Sequence, residues 1–422
     1  MLTRNFFAAE HPLWSCGFRV FFLATAIAAA GLIAIWSAFL GHGLPLPPVS
    51  GGPFVWHAHE LLFGFSLAAV AGFALTAIPE FTATAAVEPR QVRALFALWL
   101  VGRVGFWTSG WLGAPALLLA ALAHLGLVCG LLALLGPRVF RSSGRRHLSF
   151  LWALLAFAAL IAGFYAETLL GGSPGRWLHA TIGLLMVLIV LAMSRISMRI
   201  VNSALEERGE AADYRARPPK CNLAIVCIAA YTAAEFLAPG ARIVGWLALA
   251  AAAALCHLQS DWHVGRALFR RWPLMLFGVY VLMAAGYGVI GFALVGGGTG
   301  FSAGRHLLVV GAMGLAIYVV LNVAGRTHCG HVLDERPWLS AGAVLLLAAA
   351  LLRAAAAMPG VPAATLLALS ALLWIAAFAV WLWYMAPLLA VPRTDGGSGC
   401  EGIIEAPAST DGNTADACTA QG

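Results

Sequence analysis

Long apolar runs recur along this chain, and they constrain its fold more than any other feature. A helix needs about 20 mostly apolar residues to cross a bilayer core of roughly 30 Å. The chain contains twelve such runs, separated by loops with glycine, proline or arginine, and we therefore predict twelve transmembrane helices. Their approximate bounds are 18–40, 55–79, 92–111, 114–136, 147–170, 176–199, 221–238, 240–260, 273–295, 304–325, 338–358 and 362–391.

The composition supports an all-α membrane fold. Hydrophobic residues make up 61% of the chain, charged residues 10%, and the mean hydropathy is +0.88. Soluble domains contain about 25% charged residues, so the solvent of this chain must be lipid. A transmembrane β-barrel would show short alternating segments, whereas the run 117–135 is apolar on every helical face. We predict an all-α, polytopic transmembrane bundle of about 12 helices.

The start of the chain and its cysteines argue against three features: a signal peptide, a disulfide framework and a zinc ribbon. The polar segment 1–16 leads into an apolar run of full spanning length, so no cleavable signal peptide is expected. Eight cysteines are scattered without a C-x-x-C pair, and neither a disulfide framework nor a zinc ribbon is indicated.

The positions of the basic residues indicate which loops face the cytoplasm. A net charge of +7 could suit nucleic acid, but nearly all lysines and arginines lie in short loops, so no nucleic-acid partner is expected. With a cytoplasmic N-terminus, 19 of the 25 Lys and Arg residues face the cytoplasm, 3 face the other side and 3 fall within spans. The positive-inside rule therefore predicts that both termini are cytoplasmic.

The chain divides into one transmembrane domain, 1–391, and a tail. The longest polar interruption, about 200–220, separates helices 1–6 (about 18–199) from helices 7–12 (about 221–391). This is the two-half arrangement of many transporters. The tail 392–422 is rich in Gly, Ser, Thr, Asp and Ala and has too little apolar content to fold, so we predict a disordered cytoplasmic tail.

The most informative motif begins the second helix and contains His57, His59 and Glu60. An ionisable residue at the centre of a membrane helix costs about 2.5 to 3.5 kcal/mol on insertion scales, so each one needs an explanation. His57 and Glu60 are three residues apart and share a helical face, whereas His57 and His59 point about 200° apart. Either the turn is irregular, or one histidine binds a metal while the other forms hydrogen bonds; a polar cap at the membrane surface is the alternative.

A second motif, Arg326 with His328 and His331, lies at the inner end of the tenth helix, whose outer end carries His306. His306 and His331 are 25 residues apart, about 37 Å along a helix, and mark opposite membrane surfaces. Neutral imidazole is a common ligand of iron and copper. The alternative for His328 and His331 is a solvated loop pair.

Three arginines lie in or beside predicted spans: Arg19, Arg103 and Arg195, of which Arg103 is the deepest. Such cations neutralise the anionic groups of a cofactor, pair with a carboxylate, or extend to the membrane surface.

These residues together resemble the NnrS family of haem- and copper-containing membrane proteins associated with nitric oxide metabolism and nitrosative stress. The resemblance covers most of the chain, with Phe81-Thr82-Ala83 and Val332-Leu333-Asp334 departing from the family pattern, so the chain resembles a divergent member. The matching motifs are Gly17 to Leu23, Trp56 to Glu60 with Phe63-Gly64-Phe65, Gly72 to Pro79, Trp99 to Arg103, His306 with Gly311 to Gly314, and Arg326 with Gly330-His331.

The resemblance implies b-type haem and copper as cofactors, nitric oxide or a related small molecule as ligand, and a bacterial inner membrane as location. It implies a principal metal or haem site of His57, His59 and His306, with Glu60 orienting an imidazole from the His57 face. Arg326 and His331 are expected to form a cytoplasmic-side site. Arg19 and Arg103 are the further cofactor-binding candidates.

Two other functions remain compatible with the sequence: a secondary transporter of twelve helices, supported by fold analogy, and a factor that handles haem or metal without catalysis. Enzymatic activity and oligomeric state are left open.

Overall fold

The computed structural model describes residues 11–141, 147–397 and 400. Within these residues the chain forms twelve long helices, numbered here in chain order. They are α1 Gly17–His42, α2 Gly52–Phe81, α3 Pro89–Trp107, α4 Ala114–Arg141, α5 Leu148–Leu169, α6 Gly175–Glu206, α7 Pro218–Leu237, α8 Arg242–Gln259, α9 Arg271–Gly296, α10 Phe301–Thr327, α11 Pro337–Ala355 and α12 Ala363–Leu389.

Eleven helices of the described chain are long and apolar enough to cross a membrane. The remaining one, α3, carries Arg90, Arg93 and Arg103 within 19 residues. The predicted all-α polytopic fold is confirmed, and the protein is a multi-pass membrane protein whose surroundings are a lipid bilayer.

The bundle has two ends, which are named by their charge. At the basic end lie the loops 82–88, 207–217 and 328–336, with most of the Lys and Arg residues nearby. At the opposite end lie the loops 43–51 and 297–300. Helices α2 and α10 both start at the opposite end, as the sequence predicted.

The polar interruption in mid-chain is shorter than predicted. Helix α6 continues to Glu206, so the loop is 207–217 and not about 200–220. The extra turns form because Val201 and Leu205 stay buried and extend the apolar face beyond the predicted span.

The tail is described only at 392–397 and Cys400; the rest of the predicted disordered segment lies outside the described residues. Arg393 donates to Asp395 and to the carbonyl of His328, so this part of the tail contacts the basic end. Cys400 forms a disulfide with Cys16, a pairing across 384 residues that sequence spacing did not indicate.

Helices α2 and α10 are the innermost. In their most apolar stretches 83% and 67% of the residues are buried, against 22% for α12. Helix α1 packs along both α2 and α12, which places the first and last helices side by side. The two helices that carry the histidine motifs therefore form the centre of the bundle.

Both central helices contain a π-helical segment, Glu60–Ser66 in α2 and Leu307–Met313 in α10. A π turn holds one residue more than an α turn and is often found at functional sites. The Ser66 hydroxyl donates to the carbonyl of Leu61, five residues earlier, and contacts Met313 Sδ at 3.4 Å. The two segments thus meet, each directly after a histidine.

Candidate functional site

His57 and His59 lie on opposite sides of α2, as their spacing predicted. His59 is fully buried and stacks on Phe106, with ring centroids 3.4 Å apart. His57 is half-buried and stacks on Trp36 of α1 at 4.3 Å. The two imidazoles therefore belong to different sites.

His59 is part of a closed ring of five hydrogen-bonded side chains, here called the Glu60 ring: Glu60, His59, Tyr165, His124 and Arg103. Glu60 Oε1 lies 3.0 Å from His59 Nδ1, and the Tyr165 hydroxyl lies 2.8 Å from both His59 Nε2 and His124 Nδ1. Arg103 closes the ring, since Nη2 contacts His124 Nε2 and Nη1 donates to Glu60 Oε1 at 2.9 Å.

Four helices contribute to the Glu60 ring, and two glycines make room for it. A Cβ on Gly64 of α2 would lie 2.7 Å from Arg103 Nη1, and one on Gly102 of α3 would lie 2.5 Å from His124 Nε2. Only a residue without a side chain allows the Arg103 guanidinium to approach the α2 backbone, and the His124 imidazole to approach the α3 backbone, this closely. The ring is thus encoded in part by glycines at two helix contacts.

The Glu60 ring presents no free imidazole to a metal, although Glu60 Oε2 and Arg103 Nε have no hydrogen-bond partner among the described residues. Each ring nitrogen of His59 and His124 already has a hydrogen-bond partner, so neither imidazole offers a lone pair. Glu60 and Arg103 neutralise each other, as buried charges must. The prediction that Glu60 orients His57 is wrong: at the start of the π segment its carboxylate faces His59 and Arg103.

The second site, here called the histidine pair, joins α2 and α10 at the opposite end of the bundle. It consists of two histidines, His57 and His306, with Arg353 of α11 beside them. His306 interacts electrostatically with both other residues, and His57 with Arg353. Each histidine is the sixth residue of its helix, about 7.5 Å along the axis, so the two imidazoles lie at one depth.

Each histidine of the pair has a ring nitrogen that is open to a ligand. His306 Nδ1 donates to the carbonyl of Ser302 at 2.8 Å, which leaves Nε2 as the acceptor. Within the described residues, neither nitrogen of His57 has a hydrogen-bond partner, and Arg353 has no ion pair. Arg353 lies in the last turn of α11, where its charge is available to an anionic ligand.

The side chains available as ligands limit which metal the site can hold. In the part of the chain that the structure describes, no group of three or more His, Cys, Asp or Glu residues could hold an ion. Two imidazoles nevertheless suffice for haem, because the porphyrin supplies the other iron ligands. The histidine pair therefore fits haem, and the described residues do not fit a copper centre built from three side chains.

A second buried ion pair holds α10 from its other side. Arg305 Nη2 donates to Glu235 of α7 at 2.5 Å, and Nη1 contacts His179 Nε2 of α6 at 2.7 Å. Near His57 in sequence, His59 contacts the buried Glu60–Arg103 pair. Next to His306, Arg305 is itself a member of the Glu235–Arg305 pair. These contacts fix the rotation of both central helices.

Arg19 does not reach the histidine pair. It is 1% exposed at the basic end, and Nη1 donates to the carbonyls of Leu389 and Val391 at 2.8 and 2.7 Å. It therefore neither binds at the opposite end nor extends to solvent, but satisfies the free carbonyls at the end of α12.

Arg326 and His331 are close in the chain, but Arg326 is already engaged. It donates to the carbonyl of Val332 and to Asp334. Burial acts to raise the pKa of Asp334, but hydrogen bonds from Arg336 and the charge of Arg326 hold it at about 2. Burial lowers the pKa of His331, and the Arg326 charge acts in the same direction. The cytoplasmic-side site remains a prediction.

An apolar cavity of about 80 Å³ lies beside the two π-helical segments. Ser66 and Met313 line it, together with Phe22, Phe73 and Met193. It offers a small molecule without charge a place in the centre of the bundle.

Sequence analysis did not single out Tyr165, His124 or Arg353 as site residues. His124 and Tyr165 join the Glu60 ring from helices that are 65 and 106 residues away from His59, and single-sequence spacing carries no signal for such contacts. Arg353 could have been found, because it is an arginine inside a predicted span with no acidic residue in its own helix.

Comparison with known proteins agrees with the resemblance found in the sequence. A family model described as NnrS protein matches residues 12–393 of the 422. A search of curated proteins found no match. Since the family match runs from before α1 to beyond α12 and includes both central helices, the chain belongs to the NnrS family.

Proposed function

We propose that this nitric oxide-related membrane protein binds b-type haem at the histidine pair and acts in the nitric oxide response of the bacterial inner membrane. The observation that carries the proposal is that His57 and His306, both with an open ring nitrogen, lie close enough to Arg353 and to each other to interact electrostatically. Family membership supports the choice of haem.

Each residue of the site has a separate task. His306 would present Nε2 to the iron, because its Nδ1 is held by the Ser302 carbonyl, the arrangement usual for a metal-bound imidazole. His57, braced by Trp36, would contact the same group from α2. Arg353 would neutralise a propionate.

When bound, haem would supply the iron with which nitric oxide reacts. Nitric oxide is small and uncharged, so the apolar cavity beside Ser66 and Met313 suits its accumulation near the central helices. Copper enters no part of this proposal, since no group of three or more His, Cys, Asp or Glu residues in the described chain could hold it.

The test is an optical spectrum of the purified, reduced protein, with haem content measured per chain. The wild-type protein should contain haem, and His57→Ala and His306→Ala should each lose most of it because each removes a contact to the group. His42→Ala, an exposed histidine at the same end, is the matched control and should keep full haem content.

Full haem content in both pair variants would contradict the assignment of the site. Absence of haem in the wild-type protein, together with substrate flux in proteoliposomes, would favour the transporter instead.

A further inference from the structure

The Glu60 ring has only one consistent arrangement of its protons. Arginine donates hydrogen bonds and cannot accept them, so His124 Nε2 must be the acceptor of the Arg103 contact. His124 Nδ1 then carries the proton and donates to the Tyr165 oxygen. The hydroxyl proton of Tyr165 is left for His59 Nε2, and His59 Nδ1–H donates to Glu60.

All hydrogen bonds in this chain therefore point the same way, from Arg103 through His124, Tyr165 and His59 to Glu60. Both histidines are neutral and carry the proton on Nδ1. A chain of this kind can pass a proton from one end to the other, since its three inner members, His124, Tyr165 and His59, each accept on one side and donate on the other.

The two ends of the chain differ in surroundings. Arg103, at the donating end, is 11% exposed, whereas His124, Tyr165, His59 and Glu60 are all 0–1% exposed, so Arg103 separates the hydrogen-bonded chain from the surface. At the accepting end Glu60 Oε2 is buried, and no described residue donates to it within normal hydrogen-bond geometry. Trp107 faces this carboxylate, and its Nε1 also lacks a partner in the described chain.

We propose that the Glu60 ring is a proton-transfer site, in which a proton from solvent reaches Glu60 through His124, Tyr165 and His59. When the Arg103 guanidinium moves away from His124 Nε2, the incoming proton binds that nitrogen. His124 Nδ1 gives its proton to Tyr165, Tyr165 gives its own to His59 Nε2, and His59 Nδ1 gives its own to Glu60.

The product state contains a neutral Glu60 and two histidines protonated on Nε2, with one proton gained in total. Its uncompensated charge resides on Arg103, the member of the ring nearest to solvent. Trp107 is the other polar group facing Glu60. Helices α1 and α6 also contact the π segment, but within the described residues neither places a hydrogen bond or ion pair on Glu60.

The proton assignment can be tested on the unaltered protein by solid-state NMR with ¹⁵N-labelled histidine. We expect His59 and His124 to be neutral with the proton on Nδ1, as His306 also is, and of these three signals only those of His59 and His124 should change in Tyr165→Phe. A ring with the proton on Nε2 at either position would contradict the directed chain. This measurement needs no haem, so it is independent of the proposed function.

The transfer itself can be followed by infrared spectroscopy after a rapid drop in pH. Among the bands of the other carboxyl groups, which both proteins share, a protonated-carboxyl band of Glu60 should grow in the wild-type protein and be absent from Glu60→Gln. Tyr165→Phe should slow its appearance about 100-fold, the order of magnitude that a positioned proton donor contributes. Tyr287→Phe, which removes a buried hydroxyl outside the ring, is the matched control and should leave the rate unchanged.

Two results would overturn the proposal: a carboxyl band that persists in Glu60→Gln, or a rate in Tyr165→Phe equal to that of the control. Thermal unfolding of both tyrosine variants shows whether they are folded. The NMR assignment on the wild-type protein decides the matter if Tyr165→Phe does not fold.

Discussion

Two histidines separated by one residue do different chemistry here because they face different neighbours. His59 lies among Glu60, Tyr165 and Phe106, and both of its nitrogens are used. His57 faces Trp36 and the α10 side of the bundle, and its nitrogens remain open. Residue type alone therefore does not identify a ligand; the hydrogen bonds that a side chain already makes decide whether it can bind a metal.

Arg353 gives a prediction at the same scale. Arg353→Gln should raise the Kd for haem about 10- to 100-fold, the usual effect of removing a group that supports a metal-bound cofactor. Arg353→Lys should recover part of the affinity because it keeps the charge. Titration of apo-protein with haem measures both, and Arg242→Gln, an exposed arginine at the same end, serves as control. Unchanged affinity in Arg353→Gln would separate Arg353 from the site.

The Glu60–Arg103 pair gives a prediction about stability. Removing one partner of a buried ion pair typically costs about 3 to 5 kcal/mol, because the other charge is left uncompensated. Glu60→Gln and Arg103→Gln should each lower the free energy of unfolding by this order, and the double variant by clearly less than the sum. Chemical unfolding in detergent completes the cycle; additive effects would mean that the two charges do not interact.

At the scale of elements, the π-helical segments are what set the site apart from an ordinary bundle. They follow the histidines on the two innermost helices, and the extra residue in each turn re-aims side chains that a regular helix would place elsewhere. Glu60 lies where α2 passes from α-helix into its π segment, and its carboxylate faces His59 and Arg103.

Deleting one residue tests whether the π segment of α10 differs from the α-helical part of the same helix. Loss of Val309 from the π segment of α10 should be tolerated, because a turn with one residue too many can close as a regular α turn. Loss of Ile317 from the α-helical part of the same helix should unfold the protein, since it rotates the two flanking halves by about 100° against each other. Thermal unfolding and circular dichroism compare the two, and equal damage would argue against a π segment.

At the scale of the whole molecule, the orientation in the membrane remains a prediction from charge. A reporter that is active only in the periplasm should give no signal when fused after Arg393 and a signal when inserted in the loop 297–300. The reverse pattern would place the histidine pair on the cytoplasmic side of the membrane.

The fold was predictable because the length of an apolar run is a strong local signal; all twelve helices lie where such runs were found, and the main error is at α6, which buries residues beyond the membrane span. The site was predictable only in part. Motif spacing separated His57 from His59, but the contacts of His59 with Tyr165 and of Arg103 with His124 depend on packing between helices distant in sequence.

Chemical rescue tests the central claim most directly, namely that His57 and His306 together hold a haem group. His57→Gly and His306→Gly leave space in which free imidazole can replace the lost side chain. Both variants should lose the haem spectrum of the wild-type protein and regain it when imidazole is added, while His42→Gly should not respond. A complete haem spectrum in both variants without imidazole would contradict the claim.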